Sequence, residues 1–291
     1  MINMERAKNY MFEHCRQIDY LRLCHLRENK TNEIIEELLK FQNIDGGFGN
    51  ALEADIRTPS SSAVATEFAI NILEEVDEIP HSLVKQIISY LENSINEDSY
   101  WTISPDDVEE YPHAVWWSKA RIEGFGTMNP TATLLGFLYK HKELTQLDVE
   151  NMLGCLIDEI ISIEVKDIEE HTLLCLCRLL NYIGEDYHTG FTKKLDETIN
   201  HVIERDSSKW VDYSPEPIKY IQSPKHRLYK ENKEIVDKNI KYLLESQSEQ
   251  GTWKTKHQWF QYEDVFEATA KTEWEGVFTV DNYKRLIAFG E

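Results

Sequence analysis

The stretch FQNIDGGFGNALEADIRTPSSS, residues 41–62, separates two predicted helices. One helical pattern precedes it at 34–40, and another follows at 63–73. Gly46 and Gly47 favour positive backbone φ angles, so the first helix is expected to end there in a sharp turn. At least one of the two glycines should adopt that conformation. The stretch therefore predicts a helix–turn–helix unit.

Four aromatic residues follow the ends of predicted helices at comparable intervals: Phe48, Trp101, Trp210 and Trp253. The intervals are 53, 109 and 43 residues, so the middle interval is about two units long. In the first and last copies a glutamine, Gln42 or Gln247, precedes the aromatic residue by six positions. A period of roughly 50 residues with two helices in each period is typical of a helical repeat array. We therefore expect all four aromatic residues at equivalent positions.

These repeats resemble the QW-type repeats of squalene–hopene cyclases and protein prenyltransferases. The motifs that carry the resemblance are Gln-x3-Gly-Gly-Phe-Gly at 42–49 and Gln-x3-Gly-x-Trp at 247–253. Further segments are similar to a bacterial branch of that superfamily, namely 52–66, 112–132 and 273–279. The catalytic Asp-x-Asp-Asp motif and the zinc-binding set of these enzymes are missing, so their catalytic residues cannot be transferred to this chain.

The resemblance covers residues from about 30 to 290. It implies an all-α fold, an α/α toroid of about five to six helix pairs in which outer and inner helices alternate. We expect 1–291 to form a single toroid domain, with 1–29 as an N-terminal closing helix. Thr58 and Pro59 are typical of an N-cap and a first helical position, which predicts that an inner helix begins at Pro59.

An alternation of outer and inner helices places all outer-to-inner connections on one rim. The connections are 43–59, 97–129, 206–215 and 248–265. They contain most of the aromatic residues, glycines and non-helical carboxylates, and the inner helices that follow present free amides there. A functional site is therefore expected at this rim.

Three titratable residues on this rim are the predicted catalytic groups. Glu53 and Asp55 alternate in an extended segment, where side chains two positions apart share a face. Two neighbouring carboxyl groups beside aromatic residues can divide the roles of acid and base. His113 is a candidate general base or a ligand for a polar group. The alternative is structural, with the carboxylates capping a helix or pairing with Arg57, and His113 donating to a loop carbonyl.

Arg57, Trp116, Trp117 and Asn129 are the predicted ligand-binding residues. The two tryptophans can stack on sugar rings or shield a carbocation through their π faces, and one of the two is expected in the core. Asn129 is also expected to cap the inner helix that begins at Pro130.

Asp106, Asp107 and Glu110 form the pattern Asp-Asp-x-x-Glu. Such carboxylates hold Mg²⁺ in diphosphate-using enzymes, where they project from a helix. Here Pro105 and Pro112 flank the pattern and predict a loop. We therefore expect no cofactor, and Mg²⁺ at these residues is the alternative.

Composition limits the possible partners. The net charge is −21 and the pI about 4.9, which argues against nucleic acid as a partner. No apolar run is long enough to span a bilayer. The five cysteines are odd in number and lie in helical patterns, as expected of free thiols in a reducing cytoplasm. We therefore expect a cytoplasmic protein without a membrane span.

Two functions remain open from the sequence. The first is a small-molecule-binding protein or enzyme that uses an acidic, aromatic central cavity for a carbohydrate-like or isoprenoid-like ligand. As an enzyme it would be a carboxylate-dependent hydrolase or lyase, and secondly a terpenoid cyclase or prenyltransferase. The other is a non-catalytic module that binds a protein or peptide on a toroid scaffold. The sequence names neither the ligand nor the oligomeric state.

Overall fold

The computed structural model describes residues 4–119 and 128–291. In that part of the chain the regular secondary structure is helical, and β structure is limited to isolated bridges. The all-α prediction is confirmed. The chain divides into two compact units: Phe41–Val202, called the middle unit, and Met1–Lys40 with Ile203–Glu291, called the terminal unit. The single toroid domain stays a prediction.

The α-helices differ from the sequence-based boundaries mostly by a few residues. In chain order they are α1 (Met4–His14), α2 (Gln17–His25), α3 (Thr31–Leu38), α4 (Ala63–Leu73), α5 (His81–Ser94), α6 (Met128–Lys140), α7 (Val149–Ser162), α8 (Glu170–Ile183), α9 (Thr189–Val202), α10 (Pro217–Tyr220), α11 (Tyr229–Glu245) and α12 (Lys271–Ala288). A short α-helical turn at Glu263–Val265 and a π-helical segment at Phe266–Ala270 run directly into α12.

The core of the middle unit is formed by α4, α6 and α8. Helix α6 packs against both α4 and α8, and nearly every residue of α4 and α6 is buried. The other three helices, α5, α7 and α9, bury one face only, as expected of amphipathic helices at a surface. Helix α8 likewise buries one face, with six of its 14 residues buried. Only α4 and α6 of these six helices are therefore buried along most of their length, and the regular inner–outer alternation of a toroid stays a prediction.

The helix predicted to begin at Pro59 begins instead at Ala63. Its N-cap is Ser62, whose hydroxyl accepts a hydrogen bond of 3.1 Å from the first turn of α4. The hydroxyl of Thr58 accepts from Ser60 N at 3.2 Å and donates across the loop to Asp107 at 3.0 Å. These bonds stabilise a separate turn at Thr58, and the helix begins four residues after Pro59.

The sharp turn predicted at Gly46 and Gly47 is confirmed. Gly46 has a φ of +90°, and a Cβ atom there would lie 2.2 Å from the backbone oxygen of Gln86 in α5. Both the left-handed conformation and the close approach of a backbone carbonyl therefore require glycine at this position.

The turn that contains Gly46 recurs twice, so that 43–48, 96–101 and 248–253 have the same backbone hydrogen bonds. The first residue donates to the fifth at 2.9 Å in each copy: Asn43 N to Gly47 O, Asn96 N to Tyr100 O, and Ser248 N to Thr252 O. The fourth residue has a positive φ in each copy: Gly46 at +90°, Ser99 at +65° and Gly251 at +85°.

Each of these three turns ends in a buried aromatic residue that is anchored in the same way. The aromatic backbone N–H donates to a threonine hydroxyl of the next buried helix: Phe48 to Thr66 at 3.1 Å, Trp101 to Thr131 at 3.2 Å, and Trp253 to Thr279 at 3.2 Å. The indoles of Trp101 and Trp253 also donate, each at 2.9 Å, to a carbonyl ten positions earlier in the chain. The predicted equivalence therefore holds for Phe48, Trp101 and Trp253.

Trp210 departs from this pattern, and the prediction of equivalence is wrong for it. Trp210 is fully buried, but it lies in a 3-10 helix at Ser207–Val211. Its indole donates to the carbonyl of Glu204, six positions earlier, at 2.9 Å. The side chain of Asp206 caps this 3-10 helix by accepting from Ser208 N, which explains why the local turn has a different form.

The single helix predicted over the N-terminal residues is divided at Cys15 and Arg16. Arg16 is extended, with φ −63° and ψ 143°, and its Nε donates to Asp19 at 2.8 Å. Asp19 is completely buried and also accepts from Arg22 at 3.0 Å. A buried carboxylate requires such partners, and the extended Arg16 brings one of them into reach. Helix α2 then packs against α12 within the terminal unit.

None of the helices within 4–119 and 128–291 combines the length and the hydrophobicity that crossing a bilayer requires. The absence of a membrane span, expected from the sequence, is thus matched by the described part of the chain.

Candidate functional site

Two loops of the middle unit lie side by side, and we call segments 53–57 and 111–118 the paired loops. Ile56 and His113 form an isolated antiparallel bridge between them. The flanking backbone bonds are Arg57 N to Pro112 O at 3.0 Å and Ala114 N to Asp55 O at 2.9 Å. The three predicted catalytic residues therefore come from adjacent backbone segments, although they are far apart in sequence.

Both carboxylates of the first loop are buried. Glu53 is 5% exposed and Asp55 is 3% exposed. Glu53 Oε2 accepts a hydrogen bond of 2.9 Å from Asp55 N, so this carboxylate closes its own turn. Arg57 Nη1 donates to Ala54 O at 3.2 Å, which folds the guanidinium back over the same loop. These bonds offset part of the large cost of burying charge.

His113 is almost completely buried, and its hydrogen bonds fix its tautomer. Nδ1 lies 2.7 Å from Tyr111 O, and because a carbonyl only accepts, Nδ1 carries a proton. Nε2 lies 2.9 Å from Ser118 Oγ and, in the neutral ring, accepts from that hydroxyl. The carboxylate of Glu109 is 3.6 Å from Nε2. Nε2 therefore faces the hydroxyl of Ser118 and the carboxylate of Glu109.

The two tryptophans have different surroundings. Both lie in a short 3-10 helix, Val115–Trp117, and both are half-buried. Trp117 packs against a small apolar cluster, formed by Ile56, Val64 and Val108. Its indole Nε1 is buried and has no hydrogen-bond partner among the described residues. Trp117 is thus the tryptophan with the packing role, and Trp116 remains the candidate for stacking on a ligand.

Asp107 lies in the connection 97–129 and binds the residues that directly follow the first of the paired loops. Its carboxylate accepts from Thr58 Oγ1 at 3.0 Å and from Ser60 Oγ at 2.7 Å. Asp106, in contrast, is fully exposed. Within 4–119 and 128–291 no group of three His, Cys, Asp or Glu side chains is arranged to hold a metal ion. The geometry of these residues therefore gives no support to the Mg²⁺ alternative at Asp106, Asp107 and Glu110.

Asn129 belongs to a different cluster, which connects α4, α6 and α8. Its backbone is non-helical, with φ −100° and ψ 116°, and its side-chain oxygen lies 3.3 Å from Cys175 Sγ. The same thiol lies 3.4 Å from Glu67 Oε1, which also accepts from Arg178 at 2.8 Å. The contact with Cys175 shows that the Asn129 side chain joins inner helices, in addition to the capping role expected of it.

The cluster of Glu67, Cys175 and Arg178 was missed by the sequence interpretation. Glu67 is 5% exposed, and burial together with the charge of Glu67 raises the pKa of the Cys175 thiol well above its usual range. The thiol is therefore a protonated donor at neutral pH. The available signal was Glu67 itself, a single carboxylate within the apolar run of α4.

Little empty space lies beside the paired loops. A gap between the first loop and the start of α4 is too narrow to admit a water molecule. Two neighbouring residues, Asn50 and Ala51, have positive φ angles of 54° and 62°. A left-handed alanine costs roughly 1–2 kcal/mol, so this segment stores strain next to the buried carboxylates.

Comparison with known proteins identifies no relative. The chain matches no protein-family model, and neither a curated protein nor a solved structure is significantly similar to it. The resemblance to QW-type repeats stays a prediction, and the interpretation of the site depends on its geometry.

Proposed function

We propose that this chain is a small-molecule-binding protein with an α/α-toroid fold and that its site is formed by the paired loops. The observation that carries the proposal is the burial of Glu53, Asp55 and His113 on two adjacent backbone segments. Buried titratable groups cost free energy and are concentrated at functional sites. The toroid is supported by the position of the half-exposed α5 between the buried α4 and α6 and by the three equivalent turns.

A carbohydrate-like ligand fits these groups best. Carboxylates, a guanidinium and an imidazole exchange hydrogen bonds with hydroxyl groups, and the half-buried Trp116 offers a ring face for stacking. A hydrocarbon chain offers these polar groups no hydrogen bonds in exchange for those that they already make within the loops. An isoprenoid-like ligand is therefore the second choice.

Access to the carboxylates requires movement of the first loop. The gap beside Glu53 is closed to water, and the strained pair Asn50 and Ala51 lies at its edge. Relief of the strain at Ala51 would lower the cost of opening the loop. The ligand is accordingly expected to bind by displacing residues 49–53.

The same groups suit carboxylate-dependent hydrolysis or elimination, if the bound ligand reacts. Glu53 would supply a proton to a leaving oxygen, and Asp55 would act on the opposite side as base or nucleophile. His113 would exchange a proton at Nε2, where Ser118 and Glu109 are placed. This role is an extension of the binding proposal and fails if no turnover is detected.

Ligand-observed NMR with the purified chain tests the binding proposal. The probes are a panel of mono- and oligosaccharides together with isoprenoid diphosphates. Glu53→Gln preserves the shape of the side chain, and we expect it to weaken binding at least tenfold while thermal unfolding shows a folded protein. The matched control is Asp106→Asn, an exposed carboxylate of the other connection, which should bind as the wild type does. Equal binding by Glu53→Gln and the wild type would refute the site.

A protein- or peptide-binding module is the second candidate, and the charge distribution favours it. Residues 41–202 contain 29 acidic and 10 basic residues, which gives a net charge of −19. The rest of the chain contains 23 acidic and 21 basic residues. Such a field attracts a basic protein or peptide. Saturable, salt-sensitive binding of an oligolysine peptide that is unaffected by Glu53→Gln, without binding of any small molecule, would favour this second function.

A further inference from the structure

The terminal unit has an open groove of about 230 Å³ between α1 and the turn at 248–253. Its lining is polar and aromatic, and consists of Arg6, Asn9, Tyr10, Glu13, His14 and Gln250. Five of these side chains project from successive turns of α1, and Gln250 faces them from the tip of the turn. No residue of the proposed site in the middle unit takes part in this groove.

The floor of the groove is fixed by buried hydrogen bonds. The ring of Tyr10 contacts that of His14 in a tilted arrangement, with centroids 4.6 Å apart and an interplanar angle of 46°. Burial, followed by the charge and hydrogen bond of Glu275, raises the pKa of the Tyr10 phenol. Glu275 is buried in turn and accepts from Thr252 Oγ1 at 2.5 Å. Tyr10 is thus linked through Glu275 to α12 and to the recurrent turn, whereas the other five side chains of the groove are exposed.

The lining is balanced in charge. Arg6 and Glu13 are seven residues apart on α1, which places their Cα atoms roughly 10 Å apart along the helix axis. Their opposite charges cancel, and the amides of Asn9 and Gln250 lie within the same groove. A lining without net charge favours a neutral ligand over an anion or a cation.

The size and chemistry of the groove indicate the class of ligand. Ligand pockets for drug-sized molecules measure roughly 300–1,000 Å³, so this smaller groove suits a single ring. The side chains provide planar donors and acceptors together with one phenol ring, and none of them is aliphatic. We propose that this groove binds a neutral monosaccharide, which stacks on Tyr10 and exchanges hydrogen bonds with Asn9 and Gln250.

Saturation-transfer NMR on the full chain tests this site with four probes: glucose, galactose, mannose and N-acetylglucosamine. We expect at least one of them to bind. Asn9→Leu and Gln250→Leu should each weaken that binding at least tenfold, and because both side chains are exposed, the variants should unfold at the wild-type temperature. Gln17→Leu is the matched control, since it removes an exposed amide from outside the groove and should bind normally.

The proposal does not rest on the proposed function of the middle unit, and Glu53→Gln separates the two. Binding that survives Glu53→Gln and is lost in Asn9→Leu supports the groove. Binding that is lost in Glu53→Gln and survives Asn9→Leu assigns the sugar to the paired loops and overturns the groove. Failure of all four sugars to bind overturns it as well.

Discussion

At the residue scale, a few positions are determined by backbone geometry and buried charge. Gly46 combines a positive φ with a backbone carbonyl in the space that a side chain would need. Glu53 and His113 are held by hydrogen bonds to their own loops, so their removal has structural as well as functional effects. Substitutions at such positions therefore need matched controls.

Gly46→Val is expected to destabilise the chain by about 2–4 kcal/mol, because the left-handed conformation and the contact with Gln86 O are both incompatible with a branched side chain. Urea denaturation measures the loss. The control is Gly154→Ala in α7, where a Cβ meets no heavy atom within 4 Å. That change should stabilise the helix by up to about 1 kcal/mol. A Gly46→Val variant as stable as the wild type would disprove the turn geometry.

Cys15 is expected to make stability depend on pH in the alkaline range. Burial, with the charges of Asp19 and Glu275, raises the pKa of its thiol from 9.0 to about 12. The protonated thiol is therefore favoured by folding, and its contribution is complete below pH 9 and is lost as the pH rises towards 12. The stability difference between the wild type and Cys15→Ser should change by about 1.4 kcal/mol per pH unit in this window. A constant difference between pH 8 and pH 11 would contradict this account.

At the element scale, the three equivalent turns connect the chain to its buried helices through threonine hydroxyls. Each hydroxyl accepts the backbone N–H of a buried aromatic residue. A buried N–H without a partner costs roughly 1–3 kcal/mol. The threonines therefore stabilise the fold through a hydrogen bond as well as through packing. Replacing threonine by valine, which has the same shape, measures the contribution of that hydrogen bond to stability.

Substitution of an anchoring threonine by valine should lower the free energy of unfolding by about 1–3 kcal/mol. The values should be similar at Thr66, Thr131 and Thr279. Thr198→Val is the control, because Thr198 is equally buried but donates to the carbonyl of Lys194 within its own helix. The Lys194 carbonyl belongs to the backbone hydrogen bonding of the helix. Thr198→Val should therefore lower the free energy of unfolding by less than about 1 kcal/mol. Chemical denaturation of the four variants gives the comparison. Losses confined to one of the three anchors would argue against equivalent turns.

The elements that the sequence predicted well are those determined by local pattern. The helical pattern at 63–73 coincides with α4, and the glycine turn at 46 is a local requirement. The expected start at Pro59 was wrong because Thr58 belongs to a separate turn that bonds to Asp107, which is 49 residues away. The break at Arg16 depends on a local bond to the buried Asp19, three residues further on. A contact across the chain decides the first boundary, and a buried charge decides the second.

For the candidate site, the sequence predicted that the two loops lie close together but did not predict the hydrogen bonds of their side chains. The sequence led us to expect the loop of Glu53 and the loop of His113 on one side of the helices, and the bridge between Ile56 and His113 brings the two loops together. The hydrogen bonds that hold these side chains inside the loops depend on atomic distances that no spacing shows. The cluster at Glu67 was missed because Glu67 lies in α4 and its partners Cys175 and Arg178 lie in α8, 108 and 111 residues away.

At the scale of the whole molecule, negative charge is concentrated in the middle unit. Its net charge is −19, compared with −2 for the terminal unit. Like charges repel over about 30 Å at 0.01 M salt but only over about 10 Å at 0.1 M. Self-repulsion within the middle unit is therefore expected to weaken it at low salt.

Raising the ionic strength should slow hydrogen exchange in the helices of the middle unit and change it little in those of the terminal unit. Exchange measured by mass spectrometry at 0.01 M and 0.1 M salt tests this directly. We expect slower exchange at the higher salt in peptides from α5, α7 and α9, with α11 as the comparison. Equal responses in the two units would show that the charge asymmetry has no effect on stability.

The central claim is that the paired loops bind a small molecule, and native mass spectrometry tests it most directly. The protein is purified without denaturation, and its mass is compared for the wild type, Glu53→Gln and Asp106→Asn. We predict a small-molecule adduct on the wild type and on Asp106→Asn, reduced at least tenfold on Glu53→Gln. The same adduct on all three proteins, or none on the wild type after incubation with the ligand panel, would contradict the claim.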